Sequence, residues 1–199
     1  RGHDLASELM GKRSFEEMLY FHVCQRFPTP SQARLLDACL VTVMEHGLTP
    51  SSLIARIAAD SAPHQLQIAV ASGLLAVGDV FVGTMEGCGA LLELGAKEVN
   101  RAAYCQRVVA EHLQAGRKLP GFGHPFHKPD DPRTGRLIEL AREEKVDGRY
   151  IDLLLGLGQT LDIASGRHQT INATGAIAAL LLEIEVPVDI FRGIAMVAR

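Results

Sequence analysis

The chain has 199 residues, enough for one domain with a sizeable core, and 47% of them are apolar. Aromatics make up only 5% and there is no Trp, so Leu, Ala, Ile and Val must do the packing, which suits packed helices better than a β-sandwich. A net charge of −3 without a long basic stripe argues against a general nucleic-acid binder, and no apolar run approaches the roughly 20 residues of a membrane span.

In chain order, nearly every periodic run has a helical period. Asp4 can cap a short helix ending near Gly11, and Ser14-Phe15-Glu16-Glu17 is a capping-box pattern that opens the next. Pro28-Thr29-Pro30-Ser31 breaks that helix and caps a third, in which Leu35, Leu36, Cys39, Leu40, Val43 and Met44 recur at three- and four-residue steps. Gly47 ends it, and Thr49-Pro50-Ser51 starts another through Ile54, Ile57 and Ala58. A run rich in small residues follows from Pro63, with Ala69, Ala71, Gly73, Ala76 and Gly78. Its apolar character on several sides predicts a central or subunit-interface helix.

Gly83 to Gly95 forms a shorter unit, and Lys97 to Gln114 reads as one amphipathic helix ending at Gly116. After the Gly- and Pro-rich stretch 119–132 come a helix through Leu137, Leu140 and Ala141, then one from about Gly148 to Ala164. The polar stretch Ser165-Gly166-Arg167-His168 precedes an apolar helix from about Asn172 to Ile184, and Pro187 begins the last. No β-alternation persists, so the fold class is all-α. The sequence stops at Arg199 inside an unfinished helix, which predicts that segments are missing at the ends. The four cysteines (Cys24, Cys39, Cys88, Cys105) are widely spaced with no CxxC pair, which predicts reduced thiols and a cytoplasmic protein.

The richest stretch is Leu119-Pro120-Gly121-Phe122-Gly123-His124, continuing through His127, Lys128 and Asp131-Pro132-Arg133. Its glycines permit a tight turn and close approach to a ligand, His124 suits proton transfer or hydrogen bonding, and Arg133 suits a carboxylate. The plainer alternative is a loop with a solvent-exposed or satisfied histidine. A metal at His124 and His127 is a poor reading, because Pro125 breaks regular helix and no carboxylate–cysteine set accompanies them. Glu86, in Gly83-Thr84-Met85-Glu86-Gly87, fits a ligand-facing helix end or simply a dipole-stabilised charge. For Asn172 or Thr170 the default reading is simply a cap for the next helix. Arg199, Arg192, Arg56 and His46 are weakly informative one by one; Arg56 could belong to a buried ion pair. Gly156-Leu157-Gly158 lacks the strand and third glycine of a dinucleotide fingerprint, and there is no P-loop or nucleophile elbow.

Pro120-Gly121-Phe122-Gly123-His124 with Asp131-Pro132-Arg133 closely resembles the Pro-Gly-Tyr/Phe-Gly-His and Asp-Pro-Arg signature of citrate synthases and citryl-CoA lyases. Glu45 to Ser51 around His46, Gly83 to Gly87, Asn172 to Gly175 and Val197-Ala198-Arg199 fall in the order the family has them. The likeness runs across nearly the whole chain, 1–199, and the chain's shortness and Arg1-Gly2-His3-Asp4-Leu5 resemble the small citryl-CoA lyase-type members.

The resemblance implies a citrate synthase-like helical fold, a large helical domain with a small helical subdomain at about 130–170, and a homodimer. It implies an acyl-CoA and a di- or tricarboxylate as partners, with no metal, nucleic acid or membrane. His124 would hydrogen-bond the carbonyl or hydroxyl of the keto-acid part. Arg133, Arg199 and His46 would bind that substrate, the backbone of Leu119, Pro120, Gly121, Phe122 and Gly123 would meet the adenine of coenzyme A, and Lys128 would approach a phosphate. The implied reaction makes or breaks a C–C bond between an acetyl-CoA unit and a keto acid such as oxaloacetate. Two positions depart from the pattern. Thr174 stands where the family has its basic aspartate, and Glu86 where it has the histidine that polarises the thioester. Glu86 could act as a neutral donor if burial raised its pKa, or as the base itself. A homologue that binds CoA esters without catalysis, or a lyase for a different acyl-CoA, is the alternative.

Overall fold

The computed structural model describes residues 2–45, 47–80 and 82–199; His46, a candidate substrate ligand, lies outside the described residues. The architecture is helical, as the sequence predicts, and among the described residues there is no strand, only one isolated antiparallel bridge between Phe122 and Ile171. Among the described residues, ten α-helices run α1 (Phe15–Cys24), α2 (Pro30–Met44), α3 (Pro50–Ser61), α4 (Leu66–Leu75), α5 (Thr84–Ala96), α6 (Arg101–Gln114), α7 (Pro132–Glu143), α8 (Arg149–Ser165), α9 (Ala173–Glu183) and α10 (Phe191–Ala198). Asp4 caps a short π-helical turn over Leu5–Leu9 rather than a regular helix.

Local chemistry sets most of the helix starts. Ser14 with Glu17 and Thr29 with Gln32 form reciprocal capping boxes, and Pro30, Pro50 and Pro132 sit in first turns, where no intrahelical N–H is needed. The run expected to be helical from Lys97 is two elements. Lys97 closes α5, its N–H bonding back to Leu94 and Gly95, and α6 begins only after Asn100, whose side chain accepts from the Ala103 N–H. Gly148 precedes α8 in the left-handed region, and the Glu183 carboxylate from α9 caps that helix from a distance by accepting from Gly148, Tyr150 and Ile151 N–H. Those three bonds satisfy donors that would otherwise be orphaned at the helix end.

The central helix is α9 and not α4. From Ala173 through Leu182, nearly every α9 side chain is buried, with α2, α5, α7 and α8 packed around it. Its small residues let those neighbours approach, and its leucines supply the transfer energy, about 1.5–3 kcal/mol for each fully buried side chain. Tyr20 fastens α1 to the end of this helix by donating to the Ile184 carbonyl at 2.7 Å. By contrast α4 packs chiefly on α3, with Gly73 seated over Ser51 and Ala55, and the pair leaves Leu66 and Leu75 76% and 88% exposed. Arg56, on α3, is exposed. No helix of the described residues is long and apolar enough to cross a membrane. Cys39, Cys88 and Cys105 are buried free thiols, and burial pushes Cys39 and Cys88 up to about 12, so they remain protonated.

Candidate active site

The 119–124 segment crosses the N-terminal turns of α5 and α9. Gly121 and Gly123 take φ values of +87° and +80°, a region costly for any residue with a Cβ, and between them Phe122 turns inward into the core. Leu119 is likewise buried, while Pro120 packs on Gly87 of α5. A Cβ on Gly175 would stand 2.6 Å from the Gly121 carbonyl oxygen, so the first turn of α9 must be bare for the loop to lie against it. The segment is stitched down along one side. Gly123 N–H donates to Thr170 O at 2.7 Å, Asn172 N–H to Gly121 O at 3.0 Å, and Asn172 Nδ2 to Gly123 O at 3.0 Å.

This seating orients His124. Its Nδ1 accepts from the backbone N–H groups of Phe126 (3.1 Å) and His127 (2.9 Å), so Nδ1 carries no proton and the neutral ring presents its hydrogen at Nε2. Burial lowers its pKa from the ordinary histidine value. His127 and Arg133 push the same way, and Asp131 opposes them. The ring is therefore a neutral donor at physiological pH.

Arg133 Nη2 lies 3.3 Å from His124 Nε2. Both atoms are donors, so neither satisfies the other. His124 is only partly buried and the Arg133 side chain is 27% exposed, so an external acceptor can reach the pair. The guanidinium is fixed by Asp131, which caps α7. Asp131 Oδ1 accepts from Arg133 N–H (3.1 Å) and Nε (2.9 Å), and Oδ2 from Arg133 Nη2 (2.7 Å) and the Ala173 N–H of α9 (3.1 Å). Burial alone would raise the Asp131 pKa; the hydrogen bonds and charge of Arg133 outweigh it and hold the carboxyl below the usual carboxylate range. Asp131 thus joins the starts of α7 and α9 and aims Arg133 at His124. His124, His127 and Asp131 bring potential metal-ligand atoms within 4.8 Å of one another, but both Asp131 oxygens are already engaged with Arg133 and α9, so this set is not a free chelate.

On the other side of Asn172, the Thr174 hydroxyl donates to Asn172 Oδ1 at 2.6 Å. Having spent its hydrogen there, it can only accept from Thr84 Oγ1, 3.3 Å away on α5. Glu86, in the same first turn of α5, accepts from Arg192 Nη2 at 2.7 Å, and that nitrogen also donates to Asp79 at 2.8 Å. Arg192 Nε is buried without a partner among the described residues.

The structure therefore links His124, Arg133, Thr174 and the 119–123 segment through Asp131 and Asn172, and reaches α5 through Thr84. Arg199 is joined elsewhere: its Nε donates to Val43 O at the C-terminal end of α2, and burial lowers its pKa. Lys128 is exposed. The sequence does not mark Asp131 and Thr84 as site-building residues, and Arg192 is weakly informative in it. The Asp-Pro-Arg spacing was a usable signal for the first. Nothing local signals the pairing of Arg192 with Glu86, 106 residues away.

The helical fold thus brings together a glycine-lined loop over two helix starts and a histidine–arginine donor pair held by a buried aspartate. The family model of the citrate synthase C-terminal domain matches residues 1–199, and the chain belongs to that family. A putative citrate synthase 2 of Mycobacterium tuberculosis is 32% identical over 124 residues, 62% of this chain and 32% of that relative's own length. The structure of citryl-CoA lyase from Hydrogenobacter thermophilus superposes with a TM-score of 0.88 at 29% identity, covering 96% of this chain and 73% of the other. ATP citrate lyase from Methanothrix soehngenii, in complex with citrate and coenzyme A, shares the fold with a TM-score of 0.85 at 21% identity, covering 100% of this chain and 34% of its own.

Proposed function

We propose that the chain carries the active site of a carbon–carbon lyase or synthase that joins or separates an acetyl-CoA unit and a keto acid of the oxaloacetate type. The observation that carries this reading is the pair of donors, His124 Nε2–H and Arg133 Nη2, which stand 3.3 Å apart, cannot satisfy one another and together suit one external acceptor. A ketone oxygen there, with a neighbouring carboxylate on the guanidinium, satisfies both, and an alkoxide satisfies them better. In the bond-forming direction a base removes a proton from the acyl α-carbon. The enolate carbon adds to the ketone carbon, and the ketone oxygen, now negative, takes the proton of His124 Nε2, which solvent restores. Cleavage is the reverse.

Among the residues singled out, Glu86 is our choice for the base. The neutral-donor alternative for Glu86 conflicts with its pairing, since the Arg192 guanidinium is best matched by an ionised carboxylate. Thr174 serves as a structural hydroxyl between Thr84 and Asn172. Lys128 and the outer side of the 119–123 segment are our proposed contacts for the coenzyme A part of the ester, a substrate rather than a resident cofactor.

The non-catalytic reading has its own support, because Glu86 is tied to Arg192 and the Thr174 hydroxyl is already used. Calorimetric titration with oxaloacetate and citrate tests the shared premise. Arg133→Ala is expected to weaken binding by about 1.5–3 kcal/mol, the scale of a charged hydrogen bond. Equal affinity in the variant would remove Arg133 from the site.

We also propose that a second copy of the chain covers the α3–α4 face, where Ile57, Leu66 and Leu75 are all more than half exposed. A monomer in sedimentation equilibrium at micromolar concentration would contradict this.

A further inference from the structure

His168 lies in the polar stretch between α8 and α9, outside the groups assigned to the reaction. Both of its ring nitrogens face carboxylates: Nδ1 is 2.6 Å from Asp162 Oδ2, on α8, and Nε2 is 3.0 Å from Asp130 Oδ1, at the end of the 124–131 loop. A carboxylate only accepts, and a neutral imidazole has one N–H, so the neutral ring can satisfy one of the two and only the imidazolium satisfies both. We propose that His168 is a pH-dependent clasp on the loop that carries His124 and Lys128: protonated, it ties Asp130 to α8, and deprotonated, it releases that end of the loop.

The two ends of the clasp are unequal. Asp162 is fixed, since its Oδ1 also accepts from the Gln169 N–H at 2.7 Å, whereas Asp130 has a side chain 77% exposed. Loss of the second proton-bearing nitrogen therefore frees Asp130 and not Asp162. The charged groups facing His168 are Asp162 from α8 and Asp130 from the loop. Arg167 precedes it, with its backbone carbonyl engaged by Ser165 Oγ. Asp131 is turned away, toward Arg133.

The hydrogen bonds to Asp162 and then Asp130 raise the His168 pKa above the ordinary histidine value. The tie is therefore complete below about pH 6.5 and is lost as pH rises through the raised value. Bonds that do not titrate, Thr170 Oγ1 to Pro129 O at 2.6 Å and Gly123 N–H to Thr170 O, hold the inner part of the loop throughout. The clasp thus acts at Asp130 itself, since Lys128 lies between His127 and Pro129, whose carbonyls both accept from Thr170 Oγ1.

Hydrogen–deuterium exchange of a peptide spanning 125–131 in the ligand-free protein, corrected for intrinsic rate, tests this at pH 6 and pH 9. The wild type is expected to lose protection about threefold at the higher pH, the scale of one exposed ion pair. Protonation of His124 would remove the acceptor of the Phe126 and His127 N–H groups and lower protection at the acid end, opposite in sign to the expected change. His168→Gln and Asp130→Asn should exchange at the faster rate at both pH values, and His168→Lys at the slower rate at both. A wild-type pH difference that survives in Asp130→Asn, an exposed substitution that leaves the fold intact, would overturn the clasp. No ligand enters the measurement, so its result stands apart from the proposed reaction.

Discussion

Replacing Asp131 by asparagine is expected to destabilise the protein by about 2–3 kcal/mol and to abolish the alignment of Arg133 with His124. Asparagine keeps the volume and remains a competent helix cap, so the loss reports the pairing of the carboxylate with its donors. Four N–H donors converge on the two Asp131 oxygens. An Nδ2 group in place of one oxygen meets two of them as donor against donor. Breaking a buried ion pair by removing one partner costs roughly 3–5 kcal/mol, and the lower figure here allows for the 27% exposure of the Arg133 side chain. For a chain of this size that is a fall of roughly 4–12 °C in Tm. The effect has a pH signature. Because the folded Asp131 carboxyl lies below its unfolded value of about 3.9, its stabilisation is fully present above that value and is lost as pH falls through the folded one. The Tm gap between wild type and variant should therefore be constant from about pH 5 to 7 and close below about pH 4. A gap that persists unchanged at pH 3 would mean that the stabilisation is not the ionised pair.

Glu86→Gln is expected to lower turnover of citryl-CoA by about 10²–10³ fold, within the range of a general acid–base group. Glutamine retains an oxygen for Arg192, so the α5–α10 contact and the binding of coenzyme A should persist. Turnover at the wild-type rate would exclude Glu86 as the base and move attention to another group in the cleft.

The loop was legible in the sequence because its signals are local: glycines where φ must be positive, a histidine directly after, and an arginine at the second position of a proline-started helix. The helix caps at Ser14, Thr29 and Asn172 were legible for the same reason. Other features depend on residues far apart in the chain. Both α4 and α9 are apolar runs rich in small residues, and only tertiary packing decides which becomes central; here α9 is enclosed by four helices and α4 is not. The break at Asn100 was hidden because the hydrophobic period of α6 extends backwards across Lys97, while the Asn100 cap interrupts the backbone. The Arg192–Glu86 pair and the two carboxylates on His168 join residues 106, 38 and 6 positions apart. The tie of Arg199 Nε to Val43 O, at the end of α2, joins residues 156 positions apart and likewise has no local signal.

The central claim is that the donor pair His124–Arg133 and the carboxylate of Glu86 work on one acyl-CoA substrate. It is tested most directly by mixing the protein with citryl-CoA and following the release of oxaloacetate and acetyl-CoA. Catalytic release of the two products in equal amounts is the expected result. Tight binding of citryl-CoA with no release over many hours would contradict it and leave the chain as a binding homologue.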